Sequence, residues 1–245
     1  MKLSDIGMIA SDTSRSKIYL KSLVANDLIP NSVIVLKNLS ANHLPGQVSA
    51  VPFLIPQDDK KYDKDWSESF YDANFDIEEY LQENHIPFVV SPSHDMNDRE
   101  TIEVIKSTDE KTLIYSGYGG TLLRSEVLGT GKNFLHIHGG YIPDYKGSTT
   151  NYYSVIEDDS LGASSIFLTE EIDGGPLFIR KKFSANIDKQ LIDHIFDTAA
   201  RAKVLINTLQ KYLEVGSWEK ISKENQTGDT YYIIHPVLKH IAILS

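Results

Sequence analysis

The sequence FLHIHGGYIPDYKGS, from Phe134 to Ser148, places two histidines one residue apart where an apolar run meets a glycine turn. Side chains at alternate positions of a β-strand share a face, so His136 and His138 point the same way. Leu135 and Ile137 then face the opposite layer. The pattern predicts a central strand over residues 134–138 whose carboxyl end presents two imidazoles, and this edge of an open α/β sheet is where ligands bind.

Short apolar segments alternate with helical patterns along the rest of the chain, which predicts a mostly parallel sheet with helices on both faces. Further strands are predicted at residues 6–11, 32–36, 87–91, 112–117, 164–169 and 176–183, and the last two are expected to be antiparallel at the sheet edge. Helices are predicted between Ser14 and Pro30, near 77–84, at 99–107, around 122–128, and from Asp188 to near Gly216. Residues 40–76 show no clear periodicity and are expected to form a long excursion.

Composition excludes several classes of function. The 245 residues include no cysteine, so disulfides, thiolate zinc sites and cysteine nucleophiles are absent. The net charge of -10, from 34 acidic and 24 basic residues, disfavours a nucleic-acid partner. No amino-terminal signal pattern and no uncharged apolar run of membrane-spanning length occurs. We therefore expect a cytoplasmic protein with no membrane partner.

The carboxyl-terminal sequence TYYIIHPVLKHIAIL, residues 230–244, is too apolar for a solvated end. The expected organisation is a catalytic domain over residues 1–216 and an extension over residues 217–245. The extension should pack on the domain or on a second subunit. A docking segment in a homodimer is preferred to a lid beside the active site, because exposed apolar termini usually bind another subunit.

The histidine pair has three interpretations that the residues leave open. Both rings could be ordinary core residues satisfied by backbone groups. They could bind a metal together with Asp173, the best available carboxylate, which lies in the sequence EEIDGGP. They could also perform acid/base catalysis, because a carboxylate orients an imidazole and stabilises its protonated form. For the sequence DGG alone, a hairpin turn is the simplest interpretation.

The residues around the histidine pair resemble a known family. The run from Phe134 to Gly147, followed about 25 residues later by IDGGPLFI at 172–179, is similar to the formyltransferases that include glycinamide ribonucleotide transformylase, methionyl-tRNA formyltransferase and the sugar N-formyltransferases. The family pattern is Asn-x-His, a Leu-Pro turn, a basic residue with Gly, and a later Asp-x-Gly. The corresponding residues here are His138, Ile142-Pro143, Lys146-Gly147 and Asp173, and His136 replaces the usual asparagine.

The resemblance implies a Rossmann-like formyltransferase sheet and 10-formyltetrahydrofolate as formyl donor. Within the family, the segments SGYGGTLLRSEVL, KGSTTNYYSVI and YYIIHPVLKHIAIL look most like enzymes that formylate amino sugars of surface glycans, in particular in pseudaminic-acid biosynthesis. The acceptor is then an amino sugar, free or nucleotide-linked. The acidic chain does not fit the transfer RNA substrate of methionyl-tRNA formyltransferase.

By the same resemblance, the catalytic residues are His136, His138 and Asp173. His138 would donate a hydrogen bond to the oxyanion formed when the amine attacks the formyl carbon, and Asp173 would orient His138 and receive the proton of the amine. His136 would be the second donor. The implied folate-binding residues are Tyr118, Gly119, Gly120, Leu122, Leu123, Pro143, Thr169, Glu170, Glu171 and Ile172. The acceptor candidates are Lys146, Thr149, Thr150, Asn151, Tyr152 and Tyr153.

Two other functions remain as alternatives. A metal-dependent or formyl-folate hydrolase would use His136, His138 and Asp173 with water in place of the amine. A non-catalytic protein that binds sugar or folate is the third hypothesis, although binding alone gives no reason to place histidine and aspartate at both catalytic positions.

Overall fold

The computed structural model describes residues 2–37, 66, 72–221 and 228–244, so most of the expected excursion over 40–76 lies outside the described residues. The chain divides into two compact units. The first comprises residues 1–53 and 72–136, and the second comprises residues 54–71 and 137–245. The division passes through a single strand, between His136 and Ile137.

The first unit contains a parallel sheet. Its strands are β2 (Ile6–Ala10), β4 (Val33–Val35), β5 (Phe88–Val90), β6 (Thr112–Ser116) and β7 (Asn133–His138), and a separate parallel pair is formed by β1 (Lys2–Leu3) and β3 (Ile29–Pro30). The order in the sheet is β7-β6-β2-β4-β5, and all neighbours are parallel. Strand β2 is buried along its whole length, as expected for a parallel sheet covered on both faces.

The helices of this unit begin where polar side chains can cap them. They are α1 (Ser14–Ala25), α2 (Ile77–Glu83), α3 (Arg99–Ser107) and α4 (Ser125–Leu128). Thr13, Asp76 and Asp98 accept hydrogen bonds from the first-turn amides of α1, α2 and α3. The predicted alternation of strands and helices is confirmed.

The second unit contains the carboxyl end of β7 and the remaining elements. These are β8 (Tyr145–Gly147), α5 (Thr150–Asp158), β9 (Ser160–Phe167), β10 (Leu177–Ser184), α6 (Asp197–Val215), β11 (Asp229–Tyr231) and α7 (Pro236–Leu244). A 3-10 turn over Lys189–Leu191 and a π-helical turn over Ile192–Phe196 lead into α6. The predicted long helix is therefore confirmed, with an irregular first part, and it ends at Gly216 in the left-handed conformation at φ 76°.

Strands β9 and β10 are antiparallel, as the sequence predicted for the sheet edge. The order at this side of the sheet is β10-β9-β7, and β8 pairs with β11 in a separate parallel ladder. Strand β7 lies between β9 and β6, so the full order of the sheet is β10-β9-β7-β6-β2-β4-β5. The result is the expected α/β fold with a mostly parallel sheet of seven strands. Helix α6 packs on β9 and β10.

Several predicted boundaries differ from the structure. The helix expected around residues 122–128 begins only at Ser125. The side chain of Asn97 holds the preceding turn, because it donates to the carbonyl of Leu122 at 3.0 Å and accepts from the amide of Arg124 at 2.8 Å. The strand expected at 164–169 begins at Ser160 and ends at Phe167.

The carboxyl-terminal segment packs within its own chain. Strand β11 pairs with β8, and α7 packs on α5, with Ile234 and Ala242 buried. One face of α7 is exposed and apolar, including Val237 and Ile241 at 60% and 49% exposure. Among the described residues, no helix has both the length and the hydropathy that a membrane span requires.

Candidate active site

His138 is the last residue of β7, and both of its ring nitrogens face polar groups of the protein. The side chain is buried, and Nε2 lies 2.9 Å from the backbone carbonyl oxygen of Tyr145. Because a carbonyl oxygen can only accept, Nε2 carries a hydrogen and donates a hydrogen bond to this oxygen. The tautomer is assigned from that partner.

Asp173 faces the other side of the same ring. Its Oδ2 atom lies 3.4 Å from Nδ1 of His138 and accepts a hydrogen bond of 2.8 Å from the backbone amide of Gly147. The residue lies in the loop between β9 and β10, where its backbone is left-handed at φ 50°. An aspartate tolerates this conformation better than most residues, so the sequence IDGG fits the turn.

Strand β8 holds both members of the pair through its main chain. The carbonyl of Tyr145 receives the His138 hydrogen bond, and two residues later the amide of Gly147 donates to Asp173. The relative position of imidazole and carboxylate is therefore fixed by backbone as well as by direct contact.

Burial and charge act in opposite directions on His138. Burial lowers the pKa of the imidazole, because a charged ring loses its hydration, while the Asp173 carboxylate raises the pKa and the Arg201 guanidinium lowers it. The resulting pKa is below the usual value for histidine. The lowered pKa favours the neutral ring near pH 7.

The two glycines after His138 are required by close packing. A Cβ atom on Gly140 would lie 2.6 Å from Nε2 of His138 and 2.7 Å from Oγ1 of Thr150. A Cβ atom on Gly139 would collide with the side chains of Asp197 and Arg201. The sequence HGG therefore lets the chain turn against the histidine ring.

A buried polar network supports the end of β7, and sequence reasoning did not find it. Nη1 of Arg201 on α6 donates to the carbonyl of Ile137 at 2.7 Å, and Nε donates to Asp197 at 2.7 Å. The Asn151 side chain donates to Asp197 and accepts from the amide of Gly162, each at 2.8 Å. No short motif connects these residues, because they come from separate segments of the chain.

His136 shares the strand with His138, two positions earlier. Its ring centroid lies 6.0 Å from that of Tyr115. His136, His138 and Asp173 each offer one ligand atom, and the three atoms lie within 4.8 Å of one another. Two imidazoles and a carboxylate are a common set of metal ligands. A histidine that binds a metal through one ring nitrogen usually donates a hydrogen bond from the other nitrogen, as Nε2 of His138 does to the Tyr145 carbonyl.

The predicted folate-binding residues differ in their surroundings. In the first unit, Tyr118 is buried and donates to the carbonyl of Lys37 at 3.3 Å, whereas Leu122 is 68% exposed. In the second unit, Pro143 is buried, and the peptide bond between Ile142 and Pro143 is cis. Ile172 is 52% exposed. The other predicted residues are exposed or half-buried: Gly119, Gly120, Leu123, Thr169, Glu170 and Glu171.

The structure separates the predicted acceptor residues into two groups. Thr150, Asn151 and Tyr152 are buried. Thr150 donates to the carbonyl of Gly139, and both ends of the Asn151 amide are used within the protein, so these side chains hold the elements together. Three others are exposed or half-buried: Lys146, Thr149 and Tyr153. The hydroxyl of Thr149 accepts from the amide of Ile234 at 2.8 Å, and the hydroxyl of Tyr153 donates to the carbonyl of Tyr232 at 3.2 Å.

Comparison with known proteins identifies the family to which the chain belongs. A profile described as Formyl transferase matches residues 24–202. A curated relative, formyltetrahydrofolate deformylase 2, mitochondrial, of Arabidopsis thaliana, is 32% identical over 107 residues, which are 42% of this chain and 32% of the relative. The matched segment thus spans about a third of that relative's length.

Solved structures with the same fold include sugar N-formyltransferases. One from a Shewanella species has a TM-score of 0.56 at 15% identity. The match covers 98% of this chain and 86% of that chain. The N-formyltransferase of Helicobacter canadensis, solved with folinic acid and dTDP-3-aminofucose, has a TM-score of 0.54 at 14% identity, with 94% of this chain and 71% of that chain covered. The profile match covers more than half of the sequence, and the chain belongs to the formyl transferase family.

Proposed function

We propose that the protein transfers a formyl group from 10-formyltetrahydrofolate to the amine of an amino sugar. The observation that carries this proposal is the buried pair of His138 and Asp173, held together by the main chain of β8 at the carboxyl end of a sheet strand. A proton donor next to a carboxylate is what addition of an amine to a formyl group requires. The solved relative that carries folinic acid and a nucleotide-linked amino sugar supports both substrate classes.

The donor supplies an activated formyl group, and the exposed apolar side chains can receive its planar ring system. Leu122 in the first unit and Ile172 in the second are exposed, and a Cβ atom on Gly119 would meet nothing within 4 Å. We propose that Tyr118–Leu123 in the first unit, and Pro143 and Thr169–Ile172 in the second, bind the folate.

The nitrogen of His138 that faces the substrate is proposed to be Nδ1. Nε2 is held by the Tyr145 carbonyl at 2.9 Å, whereas the contact of Nδ1 with Asp173 is longer, at 3.4 Å. In its protonated form, Nδ1 can donate to the oxygen that gains negative charge as the amine adds. Asp173 keeps the ring oriented and accepts the proton that the amine loses, directly or through water. The bond from the formyl carbon to N10 of the folate then breaks, and N10 receives this proton as tetrahydrofolate leaves. His136, on the same face of β7, is proposed as a second donor.

The acceptor is proposed to contact the exposed side of the segment that follows the catalytic turn. Lys146 provides a cation for a phosphate or carboxylate, Thr149 a hydroxyl for sugar hydroxyls, and Tyr153 an aromatic face for the ring. Thr150, Asn151 and Tyr152 act behind them as support. We propose a pseudaminic-acid-type or nucleotide-linked amino sugar in surface glycan biosynthesis as the acceptor.

The experiment is a spectrophotometric assay of tetrahydrofolate release from 10-formyltetrahydrofolate, with and without a panel of free and nucleotide-linked amino sugars. We expect release that depends on a sugar and falls about 100- to 1000-fold in His138→Asn. The matched control is His85→Asn. His85 is exposed with a left-handed backbone at φ 55°, where asparagine is tolerated, and the control should retain full activity.

The second candidate function is hydrolysis of the formyl-folate itself. The 32% identity with a plant formyltetrahydrofolate deformylase over 107 residues favours it, and water would then replace the amine. Release that is equally fast without any sugar would establish this hydrolase and exclude the transferase. Stoichiometric metal in the purified protein, lost in His136→Ala and Asp173→Ala, would establish the metal-dependent form.

A further inference from the structure

We propose that the carboxyl-terminal strand β11 is a positioning element of the catalytic pair, and this proposal rests on the proposed function for its catalytic consequence. The residues of β11 pair one to one with those of β8: Asp229 with Tyr145, Thr230 with Lys146, and Tyr231 with Gly147. These are the residues whose main chain holds His138 and Asp173. The tail is thus one strand away from the reacting groups.

Several further contacts fix β11 to the same segment. The amide of Ser148 donates to the carbonyl of Tyr231 at 2.9 Å. The ring of Tyr231 stacks on Tyr145 at a centroid distance of 5.5 Å and contacts Tyr153 at 4.5 Å. The hydroxyls of Tyr145 and Tyr231 both donate to Oε2 of Glu157, each at 3.1 Å. These contacts tie β11, β8 and α5 together within the second unit.

The start of β11 also packs on the turn that separates His138 from β8. A Cβ atom on Gly228 would collide with the carbonyl of Pro143 and lie 3.1 Å from the amide nitrogen of Asp144. The backbone of the tail therefore lies directly against the backbone of the cis-proline turn. Both ends of the segment 143–147 are held by residues 228–231.

Strand β8 has little support of its own, because it is three residues long and β11 is its strand partner in this ladder. A two-stranded ladder of this length is marginal unless side chains anchor it. The tyrosine rings and Glu157 provide that anchor. Loosening β11 should therefore let Tyr145 and Gly147 move, and a displacement of about 1 Å at reacting groups can cost about 100-fold in rate.

Proline substitutions in β11 test its pairing with β8. The N–H and C=O of one strand residue point to the same side, and those of the next residue point to the opposite side. Since the Tyr231 carbonyl faces β8, its amide does too, and Tyr231→Pro removes a ladder donor together with the ring that contacts Tyr145 and Tyr153. The amide of Thr230 faces away, so Thr230→Pro is the matched control. Gly228→Ala is a second variant that leaves the ladder residues unchanged.

The readouts are the ring nitrogen signals of His138 by NMR, the far-ultraviolet circular dichroism, and kcat and KM for consumption of 10-formyltetrahydrofolate. We expect Tyr231→Pro and Gly228→Ala to shift the His138 signals and to lower kcat about 10- to 100-fold, with KM for the folate nearly unchanged. Thr230→Pro should stay within about twofold of the wild type in kcat.

The spectra decide the structural claim even if no formyl transfer is found for any variant, which separates failure of this proposal from failure of the proposed function. Unchanged His138 signals in folded Tyr231→Pro or Gly228→Ala would overturn it. An equal loss in Thr230→Pro would overturn it as well, because the effect would then not depend on pairing with β8. If Tyr231→Pro does not fold, Gly228→Ala decides.

Discussion

The Oδ2 atom of Asp173 lies 3.4 Å from Nδ1 of His138 and 2.8 Å from the amide nitrogen of Gly147. One carboxylate oxygen therefore joins the loop after β9, the strand β8 and the end of β7. Its charge acts on an imidazole that burial otherwise keeps neutral. The protonation of His138 should respond to every charge in this neighbourhood.

We expect Asp173→Asn and Arg201→Gln to shift the titration of His138 in opposite directions. The Asp173 charge raises the pKa of His138 and the Arg201 charge lowers it, so loss of the carboxylate moves the midpoint to lower pH and loss of the guanidinium moves it to higher pH. Asparagine tolerates the left-handed backbone at 173 and can still accept from Gly147. NMR titration of the ring carbon protons measures both midpoints, and shifts of the same sign would contradict the assignment.

Stability should fall as the pH decreases below about 6.5, the ordinary pKa of an unfolded histidine. The folded-state pKa of His138 is lowered, so below that pH the unfolded chain binds a proton that the folded chain resists. The stabilisation is complete above the unfolded pKa and is lost as the pH falls toward the folded pKa, with a slope of at most about 1.4 kcal/mol per pH unit. Urea unfolding at several pH values measures it. In His138→Gln this contribution should disappear, and an unchanged slope would argue against it.

Gly140→Ala should destabilise the fold by about 1–3 kcal/mol, because the added methyl group meets the His138 ring and the Thr150 hydroxyl. The clash also involves the carbonyl of Tyr145, which cannot turn away without moving β8. Gly119→Ala is the control for stability, since a Cβ atom there meets nothing within 4 Å. Thermal unfolding compares the two, and equal melting temperatures would show that the turn can relax.

The exposed apolar face of α7 is expected to mediate a homodimer. Val237, Ile241 and Leu244 are 60%, 49% and 69% exposed on a helix whose opposite side packs on α5. Sedimentation velocity over a range of concentrations should give a dimer that Ile241→Glu converts to a monomer. The control Gln210→Glu adds the same charge at an exposed position of a different helix, α6. A wild-type monomer at all concentrations would disprove this interface.

Sequence reasoning could predict the sheet and the proximity of His138 and Asp173 because both depend on residue type. Buried apolar runs such as IGMIA at β2 indicate parallel strands, and the family pattern indicates His138 and Asp173. The support of the pair could not be predicted in the same way. Tyr145 and Gly147 act through main-chain atoms, which every residue has, so their side chains give no signal.

Buried polar side chains were the other feature that reasoning from sequence did not anticipate. Asn151 was predicted to contact the sugar because it follows the catalytic turn and its amide can bind sugar hydroxyls. The structure instead uses both ends of its amide between Asp197 and Gly162. Helix α5 and strand β8 were not predicted, since α5 begins after Thr149 in the left-handed conformation at φ 52° and β8 has three residues. Their stability comes from tertiary contacts that only the folded chain provides.

His138 and Asp173 are attached to backbone atoms of β8, and this attachment has a consequence for how the protein can change. The side chains of this strand, Lys146 among them, are not the atoms that hold His138 and Asp173. Under the proposed function, substitution of Lys146 therefore alters which acceptor binds while the imidazole and the carboxylate stay in place. Substrate preference and chemical competence would then be separable properties of this strand, so engineering one need not sacrifice the other.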